Sequence, residues 1–162
     1  MAEKHLVVQG GTCICKFSEA PQTDKIKVLT QTKEFANDKD GSKKLIATDK
    51  EIGQTLEKNS FGKCKLQPTS SGNLPCQAMI SKWSNVYEKV TFEENNGKIL
   101  TEDSKATCPI GGPDCISIKD HGQKADVTKQ NEKNADDKAM AIIYPFGNLK
   151  KQPTQILQIP NE

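Results

Sequence analysis

Residues 106–123, ATCPIGGPDCISIKDHGQ, combine two cysteines, two prolines, the Gly111-Gly112 pair and an alternating apolar run. Glycine and proline are strong turn formers, and residues 116–118 alternate as a half-buried strand does. The stretch therefore predicts a tight reversal followed by a strand over residues 115–118. It also raises the question of what the two thiols do beside that turn.

The rest of the chain has the same character of short strands and turns. Turn-forming residues separate strand-sized apolar runs along its length, and no amphipathic helix longer than about three turns is expected. The expected fold class is therefore mainly β. The strand-sized runs are residues 6–8, 26–28, 45–47, 86–92, 99–100 and 116–118.

The composition predicts a small core that needs additional support. The chain has 162 residues, of which 34% are hydrophobic and 5% aromatic, so the apolar area that offsets the entropy of folding is modest. The length suits one domain with an appendage. Six cysteines are available to cross-link it, either as disulfide halves or as metal ligands.

The charge pattern argues against several classes of partner. The 23 basic residues are all Lys and are interspersed with 21 acidic ones. Arg is the residue that nucleic-acid readers favour, so its absence argues against nucleic-acid binding. No apolar stretch approaches the roughly 20 residues that cross a bilayer, so no membrane anchoring is expected. Residues 6–8 are too short for the hydrophobic region of a signal peptide, which predicts no classical export.

A change in composition divides the chain. Residues 123–138, QKADVTKQNEKNADDK, contain almost nothing to bury and read as a linker. We therefore expect a compact domain over residues 1–123 and a polar linker with a C-terminal extension over 124–162. Apolar character returns at residues 139–148 and 154–162, either as a returning edge strand or as a segment that docks to a partner.

The six cysteines form no local metal motif. They include no C-x-x-C pair, so any metal ligands must come from distant segments. Cys13 and Cys15 are two residues apart, and on a strand both would face one side. A reducing cytoplasm favours metal-bound or free buried thiols over disulfides, and tetrahedral zinc accepts four thiolates.

Two other uses of the cysteines stay open. The chain would be a small disulfide-stapled extracellular binding protein if the cysteines were paired. A cysteine hydrolase would need a base near the thiol, and His121 is the candidate because His5 lies near the terminus. No G-x-S-x-G, Gly-rich phosphate loop or H-E-x-x-H occurs, so we expect no enzymatic activity.

An ordered series of short motifs resembles a known family. The series is VVQGGTCIC at 7–15, FGKC at 61–64, LPC at 74–76 with KW at 82–83, SKATCPIGG at 104–112 running into ISI, and HGQ at 121–123. Over residues 5–123 it is similar to the PAAR-like branch catalogued as a domain of unknown function. Members of that branch tip the spikes of bacterial type VI secretion systems and related contractile injection machines.

The resemblance implies a conical β domain with pseudo-threefold repetition, seated on a trimeric spike protein as one copy per spike. It implies assembly in the bacterial cytoplasm and later expulsion to the extracellular space or a target cell, with an effector or toxin cargo as a further partner. The family's recurrent cysteines fall on Cys15, Cys64, Cys76 and Cys108, whereas Cys13 and Cys115 are additional. Related PAAR proteins hold a metal mainly through histidines, which are missing here together with the proline-alanine-alanine-arginine motif. Ligand chemistry leads us to expect a structural zinc ion on the four cysteines.

Overall fold

The computed structural model describes residues 4–38 and 41–124, which lie within one compact unit, Met1–Lys124. The expected extension over 124–162 lies outside the described residues except for Lys124. The described part of the chain contains nine strands and no helix, which confirms the mainly β fold class. It therefore also contains no helix that is long and apolar enough to span a membrane. The strands are β1 (Thr12–Cys15), β2 (Thr23–Lys25), β3 (Lys63–Thr69), β4 (Gly72–Pro75), β5 (Lys82–Ser84), β6 (Tyr87–Thr91), β7 (Lys98–Ile99), β8 (Lys105–Cys108) and β9 (Gly112–Asp120).

The centre of the unit is an antiparallel sheet of five strands in the order β2-β1-β9-β8-β5. Its middle strand, β9, pairs with β1 on one side and with β8 on the other. Two smaller hairpins, β3-β4 and β6-β7, complete the paired strands. Strand β9 therefore joins the β1-β2 pair to the β8-β5 pair. It lies within residues 106–123, the stretch rich in glycine and proline.

The reversal in that stretch is tighter than its sequence predicts. Strands β8 and β9 form a hairpin in which Cys108 pairs with Gly112, so β9 begins at Gly112 and the expected start at Cys115 is wrong. Gly112 and Asp114 both have positive φ, at 76° and 53°. Turn-forming residues are thus used inside the strand, where they bend it.

The other predicted strands have mixed outcomes. Residues 86–92 contain β6, and residues 99–100 overlap β7. Residues 6–8, 26–28 and 45–47 pair only through isolated bridges, such as Val8 with Ile46 and Ile26 with Leu56. These apolar runs are buried, but the chain bends away before a continuous ladder forms. Residues 70–71 form the turn between β3 and β4, and Gly72–Pro75 is strand β4.

Two apolar clusters form the core of the described residues. The main cluster packs Trp83, Phe61 and Leu100 against the sheet through Ile116 of β9. A smaller cluster joins Val8, Ile46, Phe92 and Ile99. The main cluster includes three buried cysteines, Cys13, Cys108 and Cys115. Two partly buried cysteines, Cys15 and Cys76, pack against it.

Buried polar side chains supplement this core. Glu51 is 0% exposed, and its carboxylate accepts hydrogen bonds from the backbone N–H groups of Leu29 (2.9 Å) and Thr30 (3.3 Å). The Thr30 hydroxyl donates to the same carboxylate at 2.5 Å, and Trp83 Nε1 donates to the Glu51 carbonyl at 2.8 Å. One side chain therefore fixes an irregular loop that has no ladder of its own.

Asp24 of β2 does the same for a second loop. Its carboxylate accepts hydrogen bonds from the backbone N–H groups of Lys58 at 3.0 Å and Ser60 at 3.3 Å. In the described residues no buried side-chain nitrogen or oxygen lacks a partner. The loops are therefore held by complete polar networks, as a small core requires.

Candidate metal centre

Four cysteines from separate segments line one small cavity. Cys15 ends β1, Cys64 lies in β3, Cys76 follows β4, and Cys108 ends β8. The cavity has a volume of about 10 Å³, which holds a single water-sized particle. Its other walls include the apolar side chains of Phe17, Phe61, Ile110 and Ile116, together with Gln67 and Gln77.

Backbone hydrogen bonds bring these segments together. The N–H of Lys65 donates to the Phe17 carbonyl at 2.9 Å, and the N–H of Glu19 donates to the Lys63 carbonyl at 2.9 Å, which ties β3 to the chain after β1. The N–H of Cys76 donates to the Gly62 carbonyl at 2.6 Å, and the φ of 84° at Gly62 makes this return possible. The cysteines thus converge although up to 93 positions separate them, from Cys15 to Cys108.

Cys115, which the sequence comparison treated as additional, adjoins the same group. It lies in β9, is 2% exposed, and its thiol donates a weak hydrogen bond to the Ala106 carbonyl at 3.9 Å, while its charge acts on the pKa of Cys15. The bend at Gly112 and Asp114 turns the strand so that this thiol points inward. A periodic pattern could not reveal this, because the irregular residues change which face each side chain takes.

Cys13 does not line the cavity. It is fully buried in the main core cluster and pairs across the strands with Asp24. Both Cys13 and Cys15 contact that core, as their spacing predicts, but same-face residues of a strand are about 6.6 Å apart. Only Cys15 therefore reaches the cavity.

The thiols act on one another electrostatically. Burial raises the pKa of Cys15 to about 11, against the effect of the Phe17 N–H, and the thiols of Cys115, Cys76 and Cys108 add to the rise. Burial also raises the pKa of Cys76, with contributions from Cys64 and Cys108, and burial raises the pKa of Cys115. Negative charge on several sulfurs at once is therefore unfavourable unless a cation compensates it.

The donor set suits zinc, but the sulfurs are more widely spaced than in a bound site. No three sulfurs among the cysteines, all of which lie in the described residues, come within 4.8 Å of one another. Tetrahedral zinc with bonds of about 2.3 Å would bring each pair of sulfurs to about 3.8 Å. The donor atoms therefore match a four-thiolate site in kind, whereas binding an ion would require the cysteine side chains to move closer together.

The six cysteines are all free thiols, so none of them forms the cross-link that a disulfide-stapled fold requires. His121, the base considered for a hydrolase, lies just after β9 and six positions beyond Cys115, on the order of 20 Å away along an extended strand. That separation is too great for direct proton transfer from the Cys115 thiol.

We expect the Gly111→Ala variant to disturb this group. A Cβ atom at Gly111 would lie 2.7 Å from Cys115 Sγ and 3.3 Å from the Phe17 ring. Such overpacking costs about 1–3 kcal/mol, and chemical denaturation measures the loss. The control is the same substitution made in a Cys115→Ala background, because that background lacks the Sγ atom that the added Cβ would meet. The loss of stability there should be smaller. An equal loss in both backgrounds would contradict the packing argument.

The fold and the thiols together define a small antiparallel β domain with a sulfur-lined cavity at the turn of its central hairpin. Residues 7–123 match the family model described as a domain of unknown function, DUF4280. The match covers more than half of the chain, so the protein belongs to this family. No curated protein and no solved structure matches it.

Proposed function

We propose that this protein is a structural tip protein, without enzymatic activity, that binds and sharpens the trimeric spike of a contractile injection or type VI secretion apparatus. It would be assembled in the bacterial cytoplasm and expelled with the spike when the sheath contracts. Membership of the DUF4280 family over residues 7–123 supports this proposal, as does the ordered series of motifs that resembles the PAAR-like tip proteins.

The single observation that carries the proposal is the convergence of four cysteines on one cavity beside the β8-β9 turn. Near the point of a cone there is little room for apolar side chains, and small folds use metal ions or disulfides in place of a core. A thiol-lined cavity at a tight turn is what such an apex needs. In this proposal the cavity marks the apex, and the opposite end of the domain faces the spike.

We assign to the cavity one structural zinc ion, with Cys15, Cys64, Cys76 and Cys108 as its ligands. The ion would supply a cross-link between segments that are distant in sequence, so its binding would contribute directly to folding. Cys115 lies beside Cys15 and Cys108, where its sulfur would pack against the bound group. The bend of β9 at Gly112 and Asp114 holds Cys115 in this position.

The partners follow from this role. The trimeric spike protein would bind one copy of the chain, because a single tip occupies the threefold axis. Residues 124–162 are the part of the chain on which an effector or toxin cargo would attach. A segment of about forty residues without cysteines is too small to be an independent toxin domain.

Complex formation with the spike tests the function. When the purified full chain is mixed with the trimeric spike protein encoded in the same genome, we expect a stable complex with one chain per three spike chains. Light scattering coupled to size-exclusion chromatography measures this ratio. A spike protein from an unrelated contractile machine is the control. Absence of a complex, or a ratio of one chain per spike chain, would contradict the proposal.

A further inference from the structure

A second group of potential metal ligands lies at the far end of β9 from the cysteines. His5, Glu102 and His121 each offer one ligand atom, and these atoms lie within 4.8 Å of one another. His5 Nδ1 is 3.3 Å from Glu102 Oε2. The two imidazole rings are stacked, with centroids 4.6 Å apart and planes inclined by 14°.

Backbone hydrogen bonds hold the three segments that carry these side chains. The N–H of Glu102 donates to the His5 carbonyl at 3.0 Å, and the N–H of Val8 donates to the His121 carbonyl at 3.0 Å. The turn that carries Glu102 is held by Ser104, whose hydroxyl accepts from the Thr101 N–H at 2.9 Å. The backbone of these three segments, which are distant in sequence, is therefore already held by hydrogen bonds. Binding an ion then costs less conformational entropy, because only side chains have to be ordered.

We propose that His5, Glu102 and His121 form a binding site for a first-row divalent transition metal ion, distinct from the cysteine cavity. Two imidazole nitrogens and one carboxylate oxygen suit ions of the zinc, nickel and cobalt type. The hard cations calcium and magnesium prefer sites made of oxygen ligands. The cysteine cavity offers soft sulfur ligands, so the two ends of β9 differ in the metals they favour.

Binding requires the two rings to rotate out of their stack, because an imidazole nitrogen coordinates in the plane of its ring, and the side chains have room to do so. Ligand bonds of about 2.0–2.2 Å require the donor atoms to approach to roughly 3–3.5 Å. The side chains of His5 and Glu102 are 49% and 35% exposed, so neither is locked by core packing. Three protein ligands leave at least one coordination position for water or another group.

Binding at His121 would also change its contact with Gln123. The Gln123 N–H donates to His121 Nδ1 at 3.1 Å. A metal on Nδ1 would replace this hydrogen bond. A metal on Nε2 would require the proton on Nδ1, which removes the acceptor. In either case the Gln123 amide reports on the ion, and Gln123 is also anchored by its side chain to the Leu6 carbonyl at 2.6 Å.

Nuclear magnetic resonance of the full chain without a histidine tag tests this site directly. The sequence contains two histidines, and both are in this group, so their ring signals report on it whatever the thiols bind. Titration with Ni²⁺ should broaden both ring signals at about one equivalent and shift the Gln123 amide. Ring signals that remain sharp at an excess of Ni²⁺ would overturn the proposal without any variant.

Three variants and one control establish the ligands. Each of three variants should weaken Ni²⁺ binding at least about tenfold: His5→Ala, His121→Ala and Glu102→Gln. Removing a residue that only hydrogen bonds to a metal ligand already costs about that much, so removing a ligand should cost no less. Asp103→Asn is the matched control, because Asp103 adjoins Glu102 but pairs with Lys4 at 2.8 Å. It should leave the affinity unchanged. Equal weakening by Asp103→Asn would indicate diffuse attraction to an acidic surface and would also overturn the proposal.

Discussion

We expect the Cys76→Ala variant to unfold at a temperature about 10 °C or more below that of the unaltered protein, and to contain about one zinc ion per chain less than that protein after purification without chelator. Cys76 is only partly buried and lines the cavity with the other three cysteines. Its truncation alone therefore removes little core packing. The large effect would come from the lost ion, since saturating a tight site contributes about 4 kcal/mol or more to stability.

The Cys13→Ala variant is the control for this comparison. Cys13 is completely buried but lies outside the cavity, so its truncation should keep the zinc and cost about 1 kcal/mol of packing. Differential scanning calorimetry and elemental analysis of both variants measure the two properties. If Cys76→Ala kept its zinc, or if a chelator left the melting temperature of the unaltered protein unchanged, the structural role of the ion would be refuted.

The Glu51→Ala variant should be strongly destabilising although it removes a polar side chain. It leaves the part-buried N–H groups of Leu29 and Thr30 without their acceptor and removes the partner of the Thr30 hydroxyl. Each unsatisfied buried donor costs about 1–3 kcal/mol, so the expected loss is about 3 kcal/mol. Denaturant titration measures it as a lower midpoint with an unchanged slope.

Two variants show whether this loss comes from the hydrogen bonds. Glu51→Gln keeps one acceptor oxygen and should cost less than Glu51→Ala. Glu57→Ala, in which an exposed carboxylate is removed six positions away, should change the stability by less than about 0.5 kcal/mol. A loss below about 1 kcal/mol for Glu51→Ala would mean that water replaces the carboxylate, and that the loop is not held by this network.

The sequence was sufficient for the fold class but not for the topology. Alternating runs and turn formers predict strands correctly at residues 86–92 and 116–118. The run at residues 26–28 makes a single bridge instead, because pairing depends on partners such as Leu56 that no local pattern identifies. The loop that contains residues 29 and 30 is fixed by Glu51, a charged residue that a pattern of polarity would place at the surface.

The candidate cysteines could be named from the sequence, whereas their neighbours could not. The resemblance singled out Cys15, Cys64, Cys76 and Cys108, and the fold brings all four to one cavity. The position of Cys115 depends on positive φ angles at Gly112 and Asp114, which no spacing rule predicts. The metal role of the four remains a prediction, since it depends on the sulfurs closing around an ion.

Zinc K-edge X-ray absorption of the His5→Ala variant, purified without chelator and without a histidine tag, tests the central claim most directly, because this variant lacks a ligand of the second site and its zinc reports on the cysteines. We expect about one zinc ion per chain with four sulfur neighbours at about 2.3 Å. A protein without zinc, or zinc surrounded mainly by nitrogen and oxygen at about 2.0 Å, would contradict the account.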